Sequence, residues 1–167
     1  VGDRFAAESG VSVLVQHPER CRTGHFWVLV APARHVLFEY TCDHSSDAVD
    51  EVLAGYKGYL VADAHVVYDH LYQTGDVVEV NCWAHARRYF FKAMTSDPKR
   101  AQTALDLIGM LFRIERTLVD SPRKKKEAIR KKRSKPIVDS FLSWCDAEAP
   151  HVLDDTPISA GIRYARN

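Results

Sequence analysis

Apolar residues come in short runs through the first half of the chain and at helical spacing through the second, so two differently built parts are expected. Val11 to Gln16, His25 to Ala31 and His35 to Thr41 are runs rich in Val, Phe, Tyr and Leu. Pro18-Glu19-Arg20 with Thr23-Gly24, and then Pro32-Ala33-Arg34, separate them, which predicts three antiparallel strands in a meander. Ser45-Ser46-Asp47 caps a helix through Leu53, with Ala48, Val49, Val52 and Leu53 on one face and Gly55 closing it. Tyr59 to Ala62 is a short apolar run ending at Asp63; a helix from Val66 to Tyr72, a Thr74-Gly75-Asp76 turn and a β-rich run from Val77 to Val80 follow. The order is βββ-α-β-α-β, an α/β arrangement.

After Cys82 only helical spacing is found. Trp83 to Met94 predicts a helix stopped by Ser96-Asp97-Pro98, and Pro98 suits the first turn of a longer one. Along that second helix Ala101, Leu105, Ile108, Leu111, Phe112 and Leu118 recur at helical spacing. A third helix runs through a basic stretch, where Pro136 should break or kink it; Ile137, Val138, Phe141, Leu142 and Trp144 then supply an apolar face before Ala149-Pro150. Thr156-Pro157 opens a last helix that runs to Asn167, so the C-terminus reads as cut through an element.

Composition bounds this picture without changing it: 167 residues, 46% apolar and 27% charged, suit one sizeable core with a helical annex. The longest apolar runs, Phe26 to Ala31 and Val36 to Phe38, are too short to span a bilayer, and no charged-then-apolar leader opens the chain. A cytoplasmic protein is expected. Cys21, Cys42, Cys82 and Cys145 form no C-x-x-C pair, so reduced thiols are expected rather than a disulfide framework. Charge does change the picture. Although the net charge is only +1, residues 121–135 hold nine basic side chains against the single acid Glu127, leaving the rest of the chain net acidic.

Three features carry candidate chemistry. Asp63 stands at a strand end followed by small Ala64, where a carboxylate could hold Mg²⁺ for phosphodiester chemistry or simply cap the next helix. Cys82 and His85, three apart at a helix start, could share Zn²⁺ or form a buried structural pair. The basic helix, with Arg123, Lys124, Lys125, Lys126, Arg130, Lys131, Lys132 and Arg133, could hold a DNA backbone or be a solvated face; Arg87 and Arg88 could likewise meet phosphate or water.

Several blocks occur together and in order: Gly58-Tyr-Leu-Val-Ala-Asp63, Tyr68-Asp-x-Leu-Tyr72, Val80-x-Cys-Trp-Ala-His-Ala-Arg-Arg-x-Phe-Phe91, Ser96-Asp-Pro98, Ile114-Glu115, Arg133-Ser-x-Pro136 and Gly161-Ile-Arg-Tyr-Ala-x-Asn167. On these the chain resembles transposases of the bacterial insertion sequence 66 family, from Val13 onward. The resemblance implies a ribonuclease-H-like core of the Asp-Asp-Glu type with an all-helical insertion between the second Asp and the Glu, truncated here at the C-terminus. Residues 1–81 would form the N-terminal part of the core, 82–155 the Cys-x-x-His helix and insertion, and 156–167 the start of a returning core helix. Asp63 takes the place of the second catalytic Asp, and Cys82 with His85 forms the Cys-x-x-His motif. The activity implied is metal-dependent cleavage and strand transfer on double-stranded DNA by a nucleoid-associated, multimeric enzyme.

The chain also departs from the family. Where an Asp-Glu-Thr-Pro signature is expected, Ser9-Gly10-Val11-Ser12 stands, and Glu8 is the nearest carboxylate that could replace the first Asp. The final Glu belongs to an Asp-Asn-Asn-x-x-Glu stretch expected beyond Asn167, while Glu115 occupies a recurrent position read as part of the insertion. A fragment inactive in strand transfer is therefore expected. The alternative is a module that binds DNA without cutting it, or one stabilised by zinc.

Overall fold

The structure, a computed structural model, describes residues 4–16, 21–31, 35–62 and 66–166, with side chains from residue 24 onward. It is a mixed α/β protein, and the chain divides into two compact units, Val1–Cys82 and Trp83–Asn167.

In the first unit five strands, β1 (Arg4–Gln16), β2 (Cys21–Ala31), β3 (His35–Thr41), β4 (Gly58–Ala62) and β5 (Val77–Asn81), form one sheet in the order β3-β2-β1-β4-β5. The β1-β2 and β2-β3 pairs are antiparallel, as the few residues available to connect them require, whereas β4 and β5 join parallel to β1 and to each other. β1 begins seven residues before the run that marks it in the sequence, because pairing with β2 recruits the polar stretch around Glu8 and Ser9. Its register shifts between Ser9 and Val13, where three residues of β1 oppose one of β2, a bulge of the kind that bends a strand and increases its twist. A Cβ at Gly24 would lie 2.3–2.6 Å from the ring and hydroxyl of Tyr40 on β3, so a larger residue there would have to displace that exposed ring.

One face of this sheet is covered around Trp27, β4 and β5, while β3 is exposed along nearly its whole length. Helix α1 (Ser46–Val52), its N-terminus capped by the Ser45 hydroxyl accepting from the Ala48 N–H, buries Ala48 and Val49 with Trp27, Leu60, Ala62, Val67, Tyr68 and Val77. Each large aliphatic side chain so buried contributes roughly 1.5–3 kcal/mol. The indole N–H of Trp27 donates to Thr41 Oγ1 at 2.7 Å, and its ring stacks on His44 at 5.0 Å. The short helix α2 (Asp69–Tyr72), entered through a 3₁₀ turn (Val66–Tyr68), links β4 to β5. The opposite face is open. Residues alternating with the buried ones are all apolar, and Val36, Phe38, Tyr40, Tyr59 and Val78 are 41–65% exposed.

The second unit is helical: α3 (Trp83–Ala93), α4 (Pro98–Arg116), α5 (Arg123–Ile129), α6 (Lys135–Glu148) and α7 (Pro157–Arg166). Apolar spacing directs Phe90, Ile108, Leu118, Phe141 and Cys145 inward, and small residues at Ala93, Ala101, Ala104 and Gly161 let the helices approach closely. α3 packs on α4 and α7, and α6 packs on α4 and α7. The Phe141 ring meets Trp83 and Phe90 edge-on at centroid distances of 5.3 and 5.7 Å. Pro98 opens α4 behind the N-cap Asp97, whose carboxylate accepts from the Arg100 N–H. Arg100 also bridges Asp97 and Glu148, tying the start of α4 to the end of α6, and its hydrogen bond holds the Asp97 carboxyl below the ordinary value.

Pro136 does not break the basic helix. α5 continues through one stretch of π-helix, Arg130–Ser134, in which the Lys135 N–H donates to the Arg130 carbonyl, and then into α6 with Pro136 in its first turn. The wider turn is what a proline inside a continuous helix demands, since its ring crowds the carbonyl four residues back and offers that carbonyl no N–H. Among the described residues no helix is long and apolar enough to cross a membrane.

Candidate functional site

Two regions collect the residues singled out by the sequence: the C-terminal ends of the parallel strands in the first unit, and the basic helix in the second. At the strand ends, Ala62 is in register with Asn81, so β4 and β5 stop side by side. Ligands of open sheets bind beyond the carboxyl ends of parallel strands, because the chain there leaves as loops rather than as paired backbone. Asp63 follows Ala62 directly and lies outside the described residues. Glu8 belongs to β1, where its backbone pairs with Trp27; it is three residues past Phe5, whose partner on β4 is Val61. The register thus carries the Glu8 position towards the end of β4 that precedes Asp63.

Two polar groups at this edge were not marked by the sequence. The Asn81 side-chain carbonyl is buried and has no hydrogen-bond partner among the described residues. Glu79, one pleat earlier on the same face of β5, has its pKa raised by partial burial and by the nearby Asp69 carboxylate. A period-2 pattern could have placed both residues on the Ala62 side; it could not have said that the Asn81 carbonyl would be buried there.

Cys82 is the single residue between β5 and α3, and His85 stands in the first turn of α3. The His85 Nδ1 is buried and has no hydrogen-bond partner among the described residues. Among the described residues no three His, Cys, Asp or Glu side chains come together as a metal would require.

The basic helix presents its charge to solvent. Arg123, Lys124, Lys125, Arg130, Lys131, Lys132 and Arg133 are exposed, and Lys126 is half-buried with its ammonium donating to the Val119 carbonyl. Arg123 pairs with Glu127 and Arg130 with Glu115, whereas Lys124, Lys125, Lys131, Lys132 and Arg133 have no ion-pair partner among the described residues. These five cations, two in the first turn of α5 and three in the π stretch, make a strong local positive field, which favours a polyanion. On α3, Arg87 and Arg88 are exposed, and the Arg87 guanidinium lies 5.9 Å from the centre of the Phe91 ring.

A family model described as "Transposase IS66 family" matches residues 5–167. The chain belongs to the IS66 transposase family. It is also 25% identical to the uncharacterized protein y4hP of Sinorhizobium fredii strain NGR234, over 96% of this chain and 34% of that protein. The chain thus spans about a third of the length of this curated relative. No solved structure matches it.

In this IS66-family chain Glu115 sits near the end of α4 in the helical unit, with both carboxylate oxygens occupied by Arg130 at 2.6 and 2.8 Å. That pairing holds its carboxyl below the usual range. Cys145, by contrast, has no exposed chemistry: burial pushes its thiol up to about 12.

Proposed function

We propose that this chain is the portion of an IS66-family DNA transposase that carries one catalytic carboxylate and a DNA-holding helix. In this reading the first unit is a ribonuclease-H-like core, the second includes its helical insertion, and the whole enzyme cleaves and transfers DNA strands. The observation that carries the reading is the sheet: an antiparallel β1-β2-β3 meander extended by parallel β4 and β5, with an aspartate immediately after β4. Asp63 is then a ligand for Mg²⁺ or Mn²⁺, which when bound would polarise a phosphoryl oxygen and activate the attacking water or hydroxyl. Glu8 is the nearest residue able to supply a second carboxylate. The pairing of Glu115 with Arg130 supports its assignment to the insertion rather than to the metal site.

The basic helix would hold the duplex by its phosphates, positioning it without reading sequence. With Ser9-Gly10-Val11-Ser12 in place of the first aspartate, this 167-residue chain is expected to bind duplex DNA without transferring strands. Fluorescence anisotropy with a blunt duplex tests the binding: charge reversal at Lys124, Lys125, Lys131 and Lys132 should weaken it at least a hundredfold and flatten its salt dependence. Unchanged affinity would reject the helix as the DNA contact. Any Mg²⁺-dependent nicking should disappear in Asp63→Asn, and nicking that survives it rejects Asp63 as a ligand.

A further inference from the structure

Beside the basic helix the second unit has an open cleft of about 710 Å³ whose chemistry is unlike that of a duplex-binding surface. Three cations line it: Arg87 from α3, Arg116 at the end of α4, and Lys126 from α5. Between them lie apolar surfaces, Phe112 at 36% and Val119 at 66% exposed. The one acid in the lining, Glu115, is already engaged by Arg130, and neither Arg87 nor Arg116 has an ion-pair partner among the described residues. An exposed ring and an aliphatic group set among cations match a ligand that is both anionic and flat-faced.

The backbone of a duplex offers only phosphates and sugars, because its bases are stacked inside. An unpaired strand offers phosphates together with bare base faces, which stack on aromatic side chains and on guanidinium planes irrespective of sequence. Lys126 belongs both to this cleft and to the basic helix, so a strand that leaves a duplex held on the helix meets the cleft next. We propose that this cleft binds a short unpaired DNA segment continuous with the duplex on the basic helix, its phosphates met by Arg87, Arg116 and Lys126 and a base stacked on Phe112. The proposal rests on the DNA reading of the basic helix and adds to it a preference for frayed or single-stranded ends. Its size, within the roughly 300–1,000 Å³ of small-ligand pockets, suits one or two nucleotides rather than a long strand.

The test compares the whole chain on a blunt duplex and on the same duplex with a four-thymidine 3′ or 5′ tail, by anisotropy at fixed salt. One of the tails should raise affinity about tenfold, as one stacked base and one or two added phosphate contacts would. Arg116→Ala and Phe112→Leu should each remove most of that gain while leaving blunt-duplex affinity and the thermal unfolding curve unchanged. Phe112→Leu keeps the apolar volume, so loss of the tail effect there reports stacking rather than packing. If blunt duplex binds and neither tail adds affinity, or if both variants weaken blunt and tailed duplex alike, the cleft proposal is overturned and the basic helix stands. If no DNA binds, both fall. Poly-glutamate that binds with the same dependence on Arg116 and Phe112 would make the cleft a site for acidic peptide and overturn the proposal as well.

Discussion

The two units solve the burial problem differently. In the helical unit the apolar stripes of the helices converge, so that Phe90, Ile108 and Cys145 reach complete burial. In the sheet unit the strands carry apolar residues on both faces, but α1 and the segment around Tyr68 cover part of only one; Phe38, Tyr59 and Val78 stay about half or more exposed on the other. A helix can close its single stripe against a few neighbours, whereas strands joined in parallel carry two apolar faces and need a layer on each. Stability should therefore be concentrated on one side of the sheet and in the interior of the helical unit.

Thiol reactivity gives the largest contrast. Cys42 is exposed at the end of β3, while Cys145 is buried and its thiol is pushed up to about 12, so at pH 8 iodoacetamide should label Cys42 and leave Cys145 intact until the chain unfolds. A shift of this size lowers the thiolate fraction of Cys145 by roughly a thousandfold against an ordinary thiol. Equal labelling in the native state, read by peptide mass spectrometry, would mean the helical core opens freely.

Truncation separates the units next. Phe90→Ala removes a ring buried against Phe141 and Trp144 and should cost about 3–5 kcal/mol in urea unfolding of the helical unit. Phe38→Ala, on the open sheet face, should stay within about 0.5 kcal/mol. Comparable losses at both positions would break the comparison and show that the open face is covered in solution.

Gly161→Ala sharpens it at finer scale. A Cβ there would come within 3.0–3.3 Å of the Phe90 ring, which Phe141 and Trp144 hold in place. Overpacking costs about 1–3 kcal/mol, while alanine gains about 1 kcal/mol in helix propensity, so a net loss near 1 kcal/mol is expected in the same urea series. A gain would show that the Phe90 ring can shift.

The smallest effect has opposite signs in the two units. Asp97 and Glu115 have pKa values lowered through Arg100 and Arg130, so their stabilisation of the helical unit is present above the unfolded carboxylate range and is lost as pH falls through their folded values. Glu79 is raised by burial and by Asp69, so the folded sheet unit holds its proton more tightly and loses stability as pH rises through that interval. The Glu115 pair is partly solvent-exposed, which limits its share to less than about 1 kcal/mol. Hydrogen exchange at pH 3.5 and 7 reads both units separately; Glu115→Gln should reduce the acid loss in the helical unit and leave the sheet unit unaffected.

Local features were legible where short-range physics decides them. Ser45 capping α1, Pro98 in the first turn of α4, and the short apolar runs of β3, β4 and β5 all follow from groups within a few residues of each other. The inward face of α4 was read less well. Phe112 fits the apolar period yet borders the cleft, and Ala104 and Ile114, outside the set read at helical spacing, are buried. Burial on a helix depends on where the neighbours cross it, and periodicity alone narrows this only to a stripe.

The candidate site divides in the same way. The basic run and the Cys82-His85 spacing are properties of adjacent residues and were visible directly, as was Asp63 at the end of an apolar run. That Lys126 would share a cleft with Arg87 and Arg116, or that Arg130 would occupy both oxygens of Glu115, depends on residues brought together from different helices.

By itself the sequence determined which segments are strands and which are helices, where their caps and turns lie, and that one helix is almost purely cationic. Tertiary structure alone decided the strand order β3-β2-β1-β4-β5, the early start and bulge of β1, the open second face of the sheet, and the π turn that lets the basic helix pass Pro136 unbroken. The first set is fixed by dihedral preferences and hydrogen bonds spanning a few residues. The second depends on pairing, coverage and packing between segments far apart in the chain, whose energies no single segment contains.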